Sequence, residues 1–133
     1  DIGNNWADSI LKQELLKESK EEYMKRASFI RNSFMVTNNF AMCIVNNETS
    51  SLELAEIGKE LLTFEDVEAA IAIGKIKNDL VGVSARSLGN IDVSEYIKKL
   101  GGGGHSSNAA AQIKEKTIKE IKQEIVDILN ERE

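Results

Sequence analysis

Four consecutive glycines, Gly101, Gly102, Gly103 and Gly104, run directly into His105, the single histidine of the chain, then through Ser106, Ser107 and Asn108 to three alanines. Four residues without a Cβ leave few choices. Such a run is a poor helix former. It serves either as a flexible spacer or as a loop whose bare N–H groups approach an anion closely. His105 adds a ring donor that changes charge near neutral pH. On the run alone both readings stand, and its neighbours decide between them.

The neighbours form a closely spaced series of elements. Asn4 and Asn5 precede Trp6, Ile10, Leu11 and Leu15, a spacing that predicts a first amphipathic helix. Ser19 and Glu22 have capping-box spacing ahead of a second helical stripe through Tyr23, Ala27 and Ile30. Phe34–Val36 and Phe40–Val45 read as strands around a turn at Asn38 and Asn39. Ser50 and Glu53 cap a helix that carries Leu54, Ala55, Ile57, Leu61 and Leu62 towards a core. Val67–Ile73 and Leu80–Arg86 bracket a polar connection from Lys75 to Asp79 and predict an antiparallel hairpin. Asp92 caps a short helix with Val93, Tyr96, Ile97 and Leu100 on one face, and Gly101 falls at its C′ position. Ala109–Lys114 predicts a short strand, and Thr117 with Glu120 caps a terminal helix striped by Ile118, Ile121, Ile125, Ile128 and Leu129. The expected fold is α+β: a central mixed sheet of four to five strands flanked by helices, with a helical N-terminal lead-in. A spacer is out of place inside such a series, so the glycine run reads as an ordered, functional loop.

Composition narrows the chemistry. The net charge of -5 argues against broad nucleic-acid binding, which rests on Lys and Arg neutralising many phosphates, but leaves room for a small nucleotide site. Cys43 is the single cysteine, so no intramolecular disulfide can form, and its apolar surroundings (FAMCIV) mark it as a buried structural thiol. One Cys and one His cannot build a conventional zinc site. No apolar run approaches the ~20 residues that span a bilayer, and no signal-peptide pattern appears. The chain begins at Asp1 without a methionine, as expected for a piece of a longer polypeptide.

Arg86 and Ser87 form a second constellation at the end of a predicted strand. The guanidinium fork suits phosphate or carboxylate, and Ser87 adds a hydroxyl at the same edge. A surface arginine beside a strand end is the alternative. The short helix after Gly89 delivers the chain from this pair to the glycine run, so the two sets can converge. Asn108 either bonds a base or ribose or closes a turn locally. Trp6 and Tyr23 read as helix-packing aromatics. The acidic residues are dispersed, with no tight Asp/His cluster for a metal.

The segments ARSLG (Ala85–Gly89), IDVSEYIKKL and GGGGHSSNAAAQI (Gly101–Ile113) resemble the DHHA1 domain, the C-terminal half of DHH-type phosphoesterases. Asn-Ala-Ala after the histidine, and LELAEIGKELLTFEDVEAAIAIG, are most similar to the bacterial cyclic-di-AMP phosphodiesterases. The resemblance implies a division at residue 33: residues 1–32 as a helical linker from a DHH domain, and 33–133 as the substrate-binding domain. It implies that Arg86 and Ser87 contact a phosphate or nucleotide, that the Gly101–Gly104 backbone cradles it, that His105 contacts the phosphate or the adjacent nucleotide, and that Asn108 belongs to the same substrate-binding set. It also implies two Mn²⁺ ions in the DHH half, none bound by this chain, and hence no hydrolysis by this chain alone. Expected partners are a cyclic dinucleotide or short oligonucleotide and the DHH domain of the same parent. The parent is expected at the bacterial cell membrane with this part facing the cytoplasm and making no membrane contact itself. Alternatives left open are an oligoribonuclease or adenosine-bisphosphate phosphatase, a non-catalytic RNA-binding module like that of alanyl-tRNA synthetases, and a homodimer formed through an uncovered helix face.

Overall fold

The computed structural model describes residues 19–131; the helix expected around Trp6–Leu15 lies outside them. Helix α1 (Lys20–Arg31) leads into β1 (Phe34–Met35), β2 (Phe40–Val45), α2 (Ser51–Leu61), β3 (Ala69–Lys77) and β4 (Leu80–Ser87). Then follow α3 (Val93–Lys99), β5 (Gly103–His105), β6 (Asn108–Lys114) and α4 (Ile118–Glu131). The strands form one mixed sheet in the order β1-β2-β3-β4-β6-β5. Only β2 and β3 run parallel, joined by α2 as a crossover helix, and every other pair is antiparallel.

The expected local signals hold the elements in place. Ser19 Oγ accepts from Glu22 N, and Ser50 Oγ accepts from Glu53 N. Asp92 accepts from both the backbone N and the hydroxyl of Ser94, and Thr117 and Glu120 form a reciprocal capping box. Gly101 adopts φ 90°; its N–H reaches Lys98 O and that of Gly102 reaches Ile97 O, a Schellman ending that only glycine accommodates without strain.

Each sheet face buries a separate core. One face packs Phe40, Met42, Ile71, Ile73, Val83, Ala109 and Ala111 against α3 and α4 through Val93, Ile97, Ile121, Ile125 and Leu129. The other packs Ala41, Cys43, Val45, Ala70 and Ala72 under α1 and α2 through Ile30, Leu54, Ile57 and Leu61. Arg26 of α1 and Glu60 of α2 pair at 3.4 Å. Cys43 is fully buried, its Sγ donating to Phe29 O at 3.3 Å, and burial pushes its thiol up to about 11. Of the stripe expected on α1, Ile30 is buried, whereas Tyr23 is half-exposed with the Arg26 guanidinium 5.8 Å from its ring centroid.

The sheet has six strands, against the four to five expected, because the glycine run is not a loop. Gly103–His105 pairs with β6 as the edge strand β5, turning at Ser106 and Ser107. The β3–β4 connection is also shorter than expected. Both strands continue to a turn of Asn78 and Asp79, with Asp79 at φ 64°.

Candidate functional site

The sheet register places the chemistry-bearing residues. Ala70, Arg86, Asn108 and His105 are direct cross-strand partners on β3, β4, β6 and β5. Directly opposed residues share a face, and Ala70 belongs to the core beneath α1 and α2. Arg86, Asn108 and His105 therefore form a row on the α2 side of the sheet, about 10 Å from end to end at ordinary strand spacing. Helix α2 covers β3 and β4 but leaves the outer strands bare. Along β6, Asn108, Ala110, Gln112 and Lys114 are exposed while Ala109 and Ala111 are buried, and all of β5 is exposed. The result is an open shelf beside the helix, crossed by the polar row.

Arg86 stands where the covered and open parts of this face meet. Its stem passes Gly58 of α2: a Cβ placed there would lie 3.8 Å from the Arg86 Cγ and Cδ. Its Nε is buried without a hydrogen-bond partner, and no ion pair to the guanidinium is found among the described residues. A desolvated donor with no acceptor costs roughly 1–3 kcal/mol. An oxyanion on the shelf would supply that acceptor.

The four glycines have separate duties. Gly101 ends α3. A Cβ on Gly102 would lie 2.3 Å from Ala110 O, and one on Gly104 would lie 2.5 Å from Asn108 O, so both permit β5 to lie against β6. A Cβ on Gly103 would meet nothing within 4 Å. Gly103 pairs with Ala110 on the shelf face, and the fold makes no steric demand for a glycine there. Its missing side chain keeps the shelf flat beside His105. As an edge strand, β5 also turns part of its N–H row away from the sheet.

Ser87 is placed differently from its neighbour. It pairs with Ala69, whose side chain lies in the opposite core, and it is 7% exposed. Its hydroxyl donates to Ile91 O at 2.7 Å, lies 3.3 Å from Ser106 O, and accepts from Gly89 N. Its backbone N–H reaches Ser107 O, while that of Val93 reaches Ser106 O. Ser87 thus pins the β5–β6 turn to β4 and to the start of α3, and so fixes the strands that carry His105 and Asn108.

Two shelf residues escaped the reading from sequence: Ser84 and Gln112, on the same face as Arg86 and Asn108. The alternation Ser84-Ala85-Arg86 carries that signal, since residues two apart on a strand face the same way. Among the described residues no group of three His, Cys, Asp or Glu side chains could hold a metal, and His105 stands in the row with Asn108 and Arg86 and not with carboxylates. The donor set of this site does not fit a divalent metal.

A family model described as the DHHA1 domain matches residues 37–131. The cyclic-di-AMP phosphodiesterase GdpP of Geobacillus thermodenitrificans is 36% identical over 127 residues, covering 94% of this chain and 19% of that protein. The cyclic-di-AMP phosphodiesterase PdeA of Listeria monocytogenes is 34% identical over 126 residues, covering 93% of this chain and 19% of the relative. The chain spans about a fifth of the length of these curated relatives. Among solved structures, an exopolyphosphatase-related protein from Bacteroides fragilis superposes with a TM-score of 0.73 at 13% identity, over 91% of this chain and 38% of its own. The glycine edge, the Arg86 row and strands β2 to β6 all fall inside the matched region, and the chain belongs to the DHHA1 domain family.

Proposed function

We propose that this chain is the substrate-binding domain of a phosphodiesterase that hydrolyses cyclic-di-AMP to linear pApA. The observation that carries the reading is Arg86, a partly buried arginine whose Nε has no acceptor, in one cross-strand row with Asn108 and His105 on an open shelf. Arg86 supplies a forked, charge-assisted donor set to non-bridging phosphate oxygens, and His105 supplies a ring N–H to the same phosphate or the next. Gly103 lets the sugar-phosphate backbone come down to the sheet, where edge N–H groups of β5 add donors. Ser87 acts through position by holding the β5–β6 turn. The likeness to GdpP and PdeA over nearly the whole chain supports a cyclic dinucleotide as the ligand.

In this reading residues 1–32 link to a DHH domain in the same polypeptide, and residues 33–133 form the binding half. The Asp and His ligands for two Mn²⁺ ions would lie in that DHH domain, and the parent would sit at the bacterial membrane with this domain on its cytoplasmic side. Among the described residues no helix is long and apolar enough to cross a membrane. The net charge of -5 weighs against an RNA-binding module, which calls for a basic surface.

The test is made in the intact phosphodiesterase. His105→Ala is expected to lower kcat/KM for cyclic-di-AMP by about tenfold to a hundredfold, as for loss of a charge-assisted bond, with Mn²⁺ content unchanged. Unaltered kinetics would remove His105 from substrate binding. Unaltered kinetics in Arg86→Met as well would refute the assignment of the row.

A further inference from the structure

We propose that the groove between α2 and the open strands seats a nucleobase of the bound nucleotide, an inference that rests on the phosphate-holding row proposed above. The groove encloses about 130 Å³ and is bordered by Ser51 and Leu54 of α2 and by Ser84, Ala110 and Gln112 of the sheet. Ala110 and Leu54 give it apolar lining. No charged side chain borders it. That lining suits a neutral, planar aromatic ring and not a second phosphate.

Ser84 is the independent pointer to a ligand. It is 5% exposed, it borders the groove, and its hydroxyl makes no hydrogen bond to any described residue. Among the described residues Arg86 Nε is the buried side-chain polar atom left without a partner; the Ser84 oxygen keeps access to the open groove and is available to a base-edge atom. At the groove's end the Gln112 amide reaches Ser51 Oγ at 3.4 Å in an exposed contact, long enough to exchange for a ligand. Amide and hydroxyl each donate and accept, which matches the mixed edge of a purine.

Spacing ties the groove to the row. Ser84 lies two residues before Arg86 on β4, and Ala110 two residues after Asn108 on β6, so each is about 7 Å from the row on the same face. One ribose bridges a phosphate and a base over such a span. The groove and the row therefore take the two ends of one nucleotide.

Calorimetric titration of the 133-residue chain with adenosine 5′-monophosphate and with ribose 5-phosphate separates base from phosphate recognition. A seated base makes the nucleotide bind at least about tenfold more tightly than the sugar phosphate, as base burial against protein implies. Ala110→Leu, which fills the groove, is expected to bring the nucleotide down to the affinity of ribose 5-phosphate while leaving the latter unchanged. Equal affinities of the two ligands for the wild-type chain overturn the base seat and leave the phosphate row standing. Failure of both ligands to bind removes row and seat together. The wild-type comparison needs no variant, so a misfolded Ala110→Leu protein leaves the test intact.

Discussion

Replacing Arg86 with methionine separates an arginine kept for folding from one kept for a ligand. The stem of Arg86 runs past Gly58 of α2, and methionine preserves most of that apolar contact. What it removes is the buried Nε, which has no partner. An unsatisfied buried donor costs roughly 1–3 kcal/mol, so the variant is expected to gain about 1 kcal/mol in stability. For a domain of this size that raises Tm by about 4 °C. Binding should move the other way. Two charge-assisted hydrogen bonds at about 1.5 kcal/mol each amount to about 3 kcal/mol, or at least about a hundredfold in nucleotide affinity. Thermal unfolding followed by circular dichroism and calorimetry with adenosine 5′-monophosphate read both quantities on one sample. A variant destabilised by more than about 1 kcal/mol with unchanged affinity would refute the reasoning, because Arg86 would then be a structural residue.

Gly103→Ala should fold like the parent, since its Cβ meets nothing, yet weaken nucleotide binding. Gly104→Ala should lower Tm, because its Cβ would strike Asn108 O and its φ of 149° is strained for alanine; equal behaviour of the two in a melting and binding comparison would contradict the assignment. Ser87→Ala should cost about 1–2 kcal/mol through its lost bonds to Ile91 and Ser106 and speed amide exchange across the β5–β6 turn; unchanged exchange there would deny its pinning role. Burial pushes the Cys43 thiol up from 9.0 to about 11. The raised value means its contribution is full below pH 9, declines above it, and is lost past about 11; rapid alkylation of the native chain at pH 8 would contradict this burial. The Asp92 carboxyl is held below its usual range, first by the Ser94 hydroxyl. Its contribution is present above the ordinary carboxylate range and lost as pH falls through the lowered value, a decline in acid melting curves that Asp92→Asn should lack.

The helix ends were legible because capping is local chemistry: Ser50 with Glu53, Asp92 with Ser94, Thr117 with Glu120, and Gly101 at a C′ position all act within a few residues. Strand β5 was not, because glycines hide the alternation that marks a strand, and the need for Gly102 and Gly104 shows only in their close approach to β6 across the Ser106-Ser107 turn. Arg86 and Ser87 are adjacent in sequence but are placed differently by the strand. Neighbours on a strand face opposite ways, so Arg86 reaches the shelf while Ser87 reaches the turn behind it. The same rule, applied from Arg86 back to Ser84, leads into the groove. How α2 leaves β5 and β6 uncovered depends on strand order, which no local pattern encodes.

The account turns on whether the bare side of β4, β6 and β5 is the surface that meets nucleotide. Amide chemical-shift mapping of the 133-residue chain titrated with linear pApA measures this directly. Shifts concentrated at Arg86, Gly103, His105 and Asn108, and extending to Ser84 and Ala110, are the predicted result. Silence at these positions at millimolar ligand, or shifts centred on α3 and α4 across the sheet, would contradict it.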